Sequence, residues 1–92
     1  MNNFIGIGKI VDSAQNGRVL KFDLAIQQER PCFVPCILFD PSDEVKESVD
    51  QFQTKNRVVW LQGRVAMNEF EYQGRTIRKI QVVTYANGIR PI

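Results

Sequence analysis

Apolar and polar positions alternate with a period of two through much of this chain. Leu20, Phe22, Leu24 and Ile26 are apolar while Lys21 and Asp23 interrupt the odd positions, so residues 19–26 read as a half-buried strand. Residues 4–11 are β-branched and punctuated by Gly6 and Gly8, which predicts a strand that bends, or that lets another backbone come close, at those glycines. A polar loop follows over 12–17. Cys32 to Phe39 reads as a third strand, with Pro35 marking an edge position or a bulge because it has no amide hydrogen.

The period then changes. Val45, Val49 and Phe52 recur at i, i+4 and i+7, the stripe of an amphipathic helix. Asp40 is the expected cap, Pro41 fits the first turn, and Asp43 and Glu44 suit the positive end of the helix dipole. The helix should stop near Lys55 and Asn56. Strand resumes over 57–65, the polar run around Gln73-Gly74 predicts a hairpin turn, and residues 76–85 supply a last strand. Three strands, one helix and two strands match an all-β, five-stranded Greek-key barrel of the OB-fold type, with its α-helix between the third and fourth strands. An SH3-like barrel is the competitor, but it has no place for a capped helix of about three turns. No repeat or linker interrupts the chain, so residues 1–92 are expected to form one domain.

Size and cysteine content change the picture in one respect. A chain of 92 residues buries a small fraction of its surface and gains from staples or subunits. Its only cysteines, Cys32 and Cys36, lie about 13 Å apart along a regular strand, too far for a bridge. Met1-Asn2-Asn3 leads straight into patterned sequence, with no secretory signal, and no apolar run reaches membrane-spanning length. The expectation is a cytoplasmic protein with reduced thiols that self-associates and does not engage a membrane.

The net charge of +2 is unevenly distributed. Asp40, Asp43, Glu44, Glu47 and Asp50 fall within eleven residues that hold one base, Lys46, and the rest of the chain carries a balance of +6. Such segregation lets a nearly neutral protein attract a polyanion, although solvated surface charge reads the same way.

Several segments resemble the bacterial single-stranded DNA-binding proteins. Asn3-Phe4-Ile5-Gly6-Ile7-Gly8-Lys9-Ile10 is similar to their first strand, and Phe22-Asp23-Leu24-Ala25 to their second. Cys36-Ile37-Leu38-Phe39 with Glu44-Val45 resembles the third strand and helix start. Val59-Trp60-Leu61-Gln62-Gly63-Arg64-Val65 resembles the fourth strand, and Gly74 with Ile80-Gln81-Val82-Val83 the last hairpin. The resemblance implies an OB-fold homo-oligomer, dimer or tetramer, that coats unpaired DNA without sequence specificity during replication, recombination or repair. It also places Phe33, Phe39 and Phe70 where that family carries stacking aromatics. The chain departs from the pattern by lacking an aromatic around Gln28 to Arg30, by carrying Arg78 where the family has a tyrosine, and by stopping at Ile92 without an acidic tail. A short form that does not recruit replication proteins through such a tail is expected.

The residues themselves make the candidate site. Phe33, Ile37 and Phe39 share a parity opposite to that of Cys36 and Leu38, so one face of the third strand carries two rings. Phe70, between Glu69 and Glu71 near a turn, is hard to bury fully, and Tyr72 serves as a second platform or a packing residue. Lys9, Lys21, Arg64, Arg75, Arg78 and Lys79 are the candidates for phosphate contact, together with Arg30. Burial of the phenylalanines in the barrel is the competing reading. Trp60 is assigned to the core or a subunit contact.

Enzymatic chemistry finds little support. Histidine is absent, the two cysteines lack the further ligands of a zinc site, and Gly6-Ile7-Gly8 is not continued into a phosphate-binding loop. No cofactor is expected. The remaining alternative is an OB-fold adaptor, such as a primosome-type accessory factor, whose main ligand is another protein.

Overall fold

The structure, a computed structural model, describes residues 3–92, so the reading of Met1 and Asn2 lies outside the described residues. Five strands and one helix follow in the order β1 (Asn3–Asn16), β2 (Val19–Ile26), β3 (Cys32–Phe39), α1 (Asp43–Thr54), β4 (Val58–Tyr72) and β5 (Arg75–Pro91). They close into a barrel with the spatial order β1-β2-β3-β5-β4, β4 pairing back onto β1. This is the OB-fold architecture.

Inward positions of all five strands fill the barrel. Ile10, Leu20, Phe22, Leu24, Cys36, Leu38, Val59, Leu61 and Val82 are buried, and α1 closes one end by inserting Val49. Val45 and Phe52, the flanking members of its stripe, pack on the same cluster. Thr84, a polar residue in this core, donates from Oγ1 to the Gln62 carbonyl at 2.7 Å and so leaves no unpaired hydroxyl.

Three local expectations change, and one open alternative, that for Pro35, is decided. Residues 12–17 are not a free loop: β1 continues to Asn16, with a register shift between Val11 and Ala14 where Asp12 takes a positive φ of 54°. The Ser13 amide released by this bulge donates to Oε1 of Gln53 on α1 at 3.0 Å, which gives the extra backbone a partner. The helix cap is Ser42, whose Oγ accepts from the Val45 amide at 3.2 Å. Asp40 instead sits at φ 46°, donates its amide to the Arg18 carbonyl at 2.7 Å and pairs with the Arg18 guanidinium at 3.3 Å. Pro35 is in register with Asp23 of β2, and the parallel pairing with β5 begins only at Cys36, so the proline occupies an edge and no bulge is needed. Finally, β4 and β5 run well beyond the predicted 65 and 85.

That last difference shapes the molecule. From Ala66 to Tyr72, β4 pairs with Gln81 to Arg75 as a two-stranded arm that leaves the barrel, turned by Gln73 (φ 51°) and Gly74 (φ 76°). Two residues with positive φ are what a tight hairpin turn requires. Beyond Thr84, β5 makes a four-residue excursion opposite Gln62 and then rejoins β4 from Ile89 to Pro91. The glycines of β1 are steric: a Cβ on Gly8 would lie 2.4 Å from the Ala25 carbonyl oxygen of β2.

Candidate nucleic-acid interface

Because opposed residues in a ladder share a face, the registers decide which side chains look outward together. The outward row of β3 is Phe33, Pro35, Ile37 and Phe39, and its β2 partners are Ala25, Asp23, Lys21 and Val19. On the other side Ile37 pairs with Val83, Val83 with Arg64, and Arg64 with Asn3 of β1. Following β4 and β5 along the arm, the same face carries Gln81 opposite Ala66, Lys79 opposite Asn68, Ile77 opposite Phe70 and Arg75 opposite Tyr72.

One continuous outer face therefore holds Phe33, Phe39, Phe70 and Tyr72 with Lys21, Arg64, Arg75 and Lys79. Phe33 is 58% exposed, Phe39 55%, Tyr72 58% and Phe70 39%, so none of these rings belongs to the core. Lys79 lies over the Phe70 ring, its Nζ 5.9 Å from the centroid, which couples a cation to an aromatic plane. Lys9 reaches the same surface in the row Lys9, Ala25, Phe33, about two strand spacings from the ring and half-buried.

Arg78 is placed differently. It opposes Glu69 on the reverse face of the arm, and its Nε donates to Glu69 Oε1 at 2.6 Å. Its charge is committed to a neighbour and points away from Phe70. Trp60 is half-buried on the outer face of β1 and β4, far along the barrel from the arm, with the Arg90 guanidinium 5.6 Å above its ring.

Two clefts notch the aromatic face. The larger, about 520 Å³, is bounded by Phe39, Arg64, Tyr85 and the start of α1. Tyr85 is 48% exposed and was not among the sequence candidates. Its signal was its parity with Gln81 and Val83, but it lies at the end of the predicted strand, where nothing local says that the alternation continues. The second cleft, about 310 Å³, lies between the arm and β2–β3, with Phe70 and Lys79 on one wall and Lys21, Asp23, Pro35 and Ile37 on the other. Asp12, presented by the β1 bulge, also borders it. Beneath this wall the Cys36 thiol is pushed up to about 12, by burial first and by the Asp23 charge second. It is a core group without nucleophilic character at neutral pH. Cys32 and Cys36 are both free.

No protein-family model matches the chain, and no curated protein matches it. Solved structures do. The chain is similar to a Plasmodium falciparum SSB in complex with ssDNA, with a TM-score of 0.72 and 14% identity over 100% of this chain and 95% of that one. It is also similar to the mitochondrial single-stranded DNA-binding protein Rim1 of S. cerevisiae, with a TM-score of 0.76 and 17% identity over 99% and 94% of the two chains. A second Rim1 structure gives 0.67 and 16% over the same shares. At these identities the likeness is one of fold.

Proposed function

We propose that this protein binds unpaired DNA without strong sequence preference, by stacking bases on its aromatic face and holding phosphates with the surrounding cations. The observation that carries this reading is the register: four exposed rings and four exposed cations, scattered over residues 21–79, share one outer face. Every base has a π-face, so aromatic platforms accept splayed bases of any identity, while duplex bases are already stacked on each other. The solved structures of like fold include one described as a complex with ssDNA, which supports the same reading. Phe33, Phe39, Phe70 and Tyr72 are the stacking residues, with Tyr85 as an addition. Lys9, Lys21, Arg64, Arg75 and Lys79 neutralise phosphate.

The active species in this reading is a homo-oligomer, at least a dimer, working in the reducing cytoplasm where its two free thiols stay unpaired. What supports self-association is a second outer surface. Asn3–Gly8 of β1 pair only with β4 among the described residues, leaving one strand edge open, and Ile5 (61% exposed), Ile7 (53%) and Val58 (39%) surround Trp60 there. An open edge beside an apolar patch is a pairing site for a second copy.

Titration with single-stranded and duplex oligonucleotides across a range of salt tests the function. Single strands should bind far more tightly, and log affinity should fall with log salt at about 0.7 per phosphate neutralised. Equal affinity for duplex would sink the stacking mechanism. Light scattering that gives a 10.6 kDa particle at micromolar concentration would remove the oligomer.

A further inference from the structure

The cleft between the arm and β2–β3 contains a group that a phosphate-binding surface should avoid. Asp23 stands on the outward row of β2, two residues from Lys21 and opposite Pro35, half-buried in the wall of the cleft. Among the described residues its carboxylate has no ion-pair partner; the pairs present are Arg18–Asp40, Lys46–Asp43 and Arg78–Glu69. Among the described residues no side-chain hydrogen bond reaches it either. Asp12 adds a second carboxylate at the rim, carried there by the β1 bulge. No cluster of three acidic, histidine or cysteine side chains occurs among the described residues.

A carboxylate in this position repels a phosphate and attracts a hydrogen-bond donor. The cleft supplies the rest of a base site: the Phe70 ring on the arm, apolar Pro35 and Ile37 opposite, and the exposed ammonium groups of Lys21 and Lys79 on either side. Its volume of about 310 Å³ has room for a flat heterocycle. A pyrimidine stacked on Phe70 with its backbone at the lysines turns its edge toward β2. Cytosine offers an exocyclic amine there, and acidic side chains accept from that amine. Uracil and thymine put a carbonyl oxygen in place of that amine, so a carboxylate at this position faces a lone pair, and their one donor on that edge, N3–H, is flanked by two such carbonyls.

We infer that Asp23, assisted by Asp12, reads the exocyclic amine of a base bound in this cleft and gives the protein a bias for cytosine over uracil or thymine. The bias is superimposed on sequence-tolerant stacking and rests on the single-strand-binding reading above. Adenine and guanine carry exocyclic amines on a larger ring, and adenine, whose homopolymer stays unpaired, is the purine used to separate that source.

Isothermal titration of the full chain with oligo(dC), oligo(dU) and oligo(dA) of equal length tests the inference. Oligo(dC) should bind about tenfold more tightly than oligo(dU), the scale of one hydrogen bond to a charged group. Oligo(dA) binding above oligo(dU) extends the reading to purines, and binding below it confines the cleft to cytosine. Asp23→Ala should bring the dC/dU ratio close to one, chiefly by weakening dC, while Asp23→Glu keeps a ratio above one. Asp12→Gly, which suits the positive φ and removes the carboxylate, should lower the ratio by a smaller factor. A thermal melt checks folding of each variant. If the parent binds oligo(dC) and oligo(dU) equally, the inference falls and single-strand binding stands. If Asp23→Ala raises both affinities by the same factor, the carboxylate only repels backbone and the inference also falls. Absence of binding to all three oligomers removes the functional reading itself.

Discussion

Two outer surfaces of the same barrel are built on the same alternation and differ in chemistry. On β2–β3 and the arm, the outward positions include both rings and cations: Phe33, Phe39, Phe70 and Tyr72 with Lys21, Lys79 and Arg75. On β1 and the root of β4 they are Ile5, Ile7, Val58 and Trp60, with charge in Lys9 at the margin and in Arg90, whose guanidinium lies over the Trp60 ring. Aliphatic side chains gain from losing water and have no use for a polyanion; exposed rings flanked by ammonium groups keep their solvation and gain when a base covers them. Backbone pairing does not separate them: Asn3–Gly8 pair only with β4, and the strands of the arm pair only with each other out to Tyr72 and Arg75, so the apolar side chains around the β1 edge, not the open edge alone, set it apart. One barrel can thus carry two kinds of contact without conflict, provided substitutions on one surface leave the other unaffected.

The strongest way to break this division is Ile7→Asp. A charge placed in the proposed subunit contact is uncompensated when buried, a cost of about 3–5 kcal/mol, and light scattering should show the particle falling to 10.6 kDa. Stacking at each separate barrel should survive, with a shorter footprint. Retention of the parent mass would move the subunit contact elsewhere.

Phe39→Ala and Phe70→Ala probe the other surface with a smaller effect. Loss of one stacked base is worth about 1–3 kcal/mol, so each should weaken binding by roughly five- to a hundredfold with an unchanged salt slope. Both rings are exposed, so thermal stability should stay near that of the parent. If both variants fold and bind normally, the aromatic face is not the binding face and the protein-binding adaptor moves ahead.

The mildest comparison sharpens the arm itself. Lys79→Ala and Arg78→Ala remove adjacent cations from opposite faces of one strand. Lys79→Ala should weaken binding modestly and reduce the salt slope by about 0.7. Arg78→Ala should leave the slope unchanged, since its guanidinium is held by Glu69. Equal changes in the two slopes would mean that the strand wraps both faces.

By itself the sequence was enough for whatever depends on neighbours along the chain. The alternation of Leu20, Phe22, Leu24 and Ile26 is the inward row of β2, the i, i+4, i+7 stripe is the buried face of α1, and Gln73-Gly74 is the turn. The parity of Phe33 and Phe39 against Cys36 and Leu38 also follows from local geometry, since successive side chains of a strand must point to opposite sides. The tertiary structure decided what depends on pairing partners. That Ser42 rather than Asp40 caps the helix follows from the claim of Arg18, which lies 22 residues earlier, on the Asp40 carboxylate and amide. The continuation of β1 through Asp12 rests on Gln53 accepting the spare amide, and the length of the arm on a ladder in which Glu69 and Arg78 complete each other. The same registers bring Asp23 and Phe70, 47 positions apart, to the two walls of one cleft. Periodicity tells each strand which way its side chains face; only the non-local hydrogen bonds of the closed barrel say whose side chains they meet.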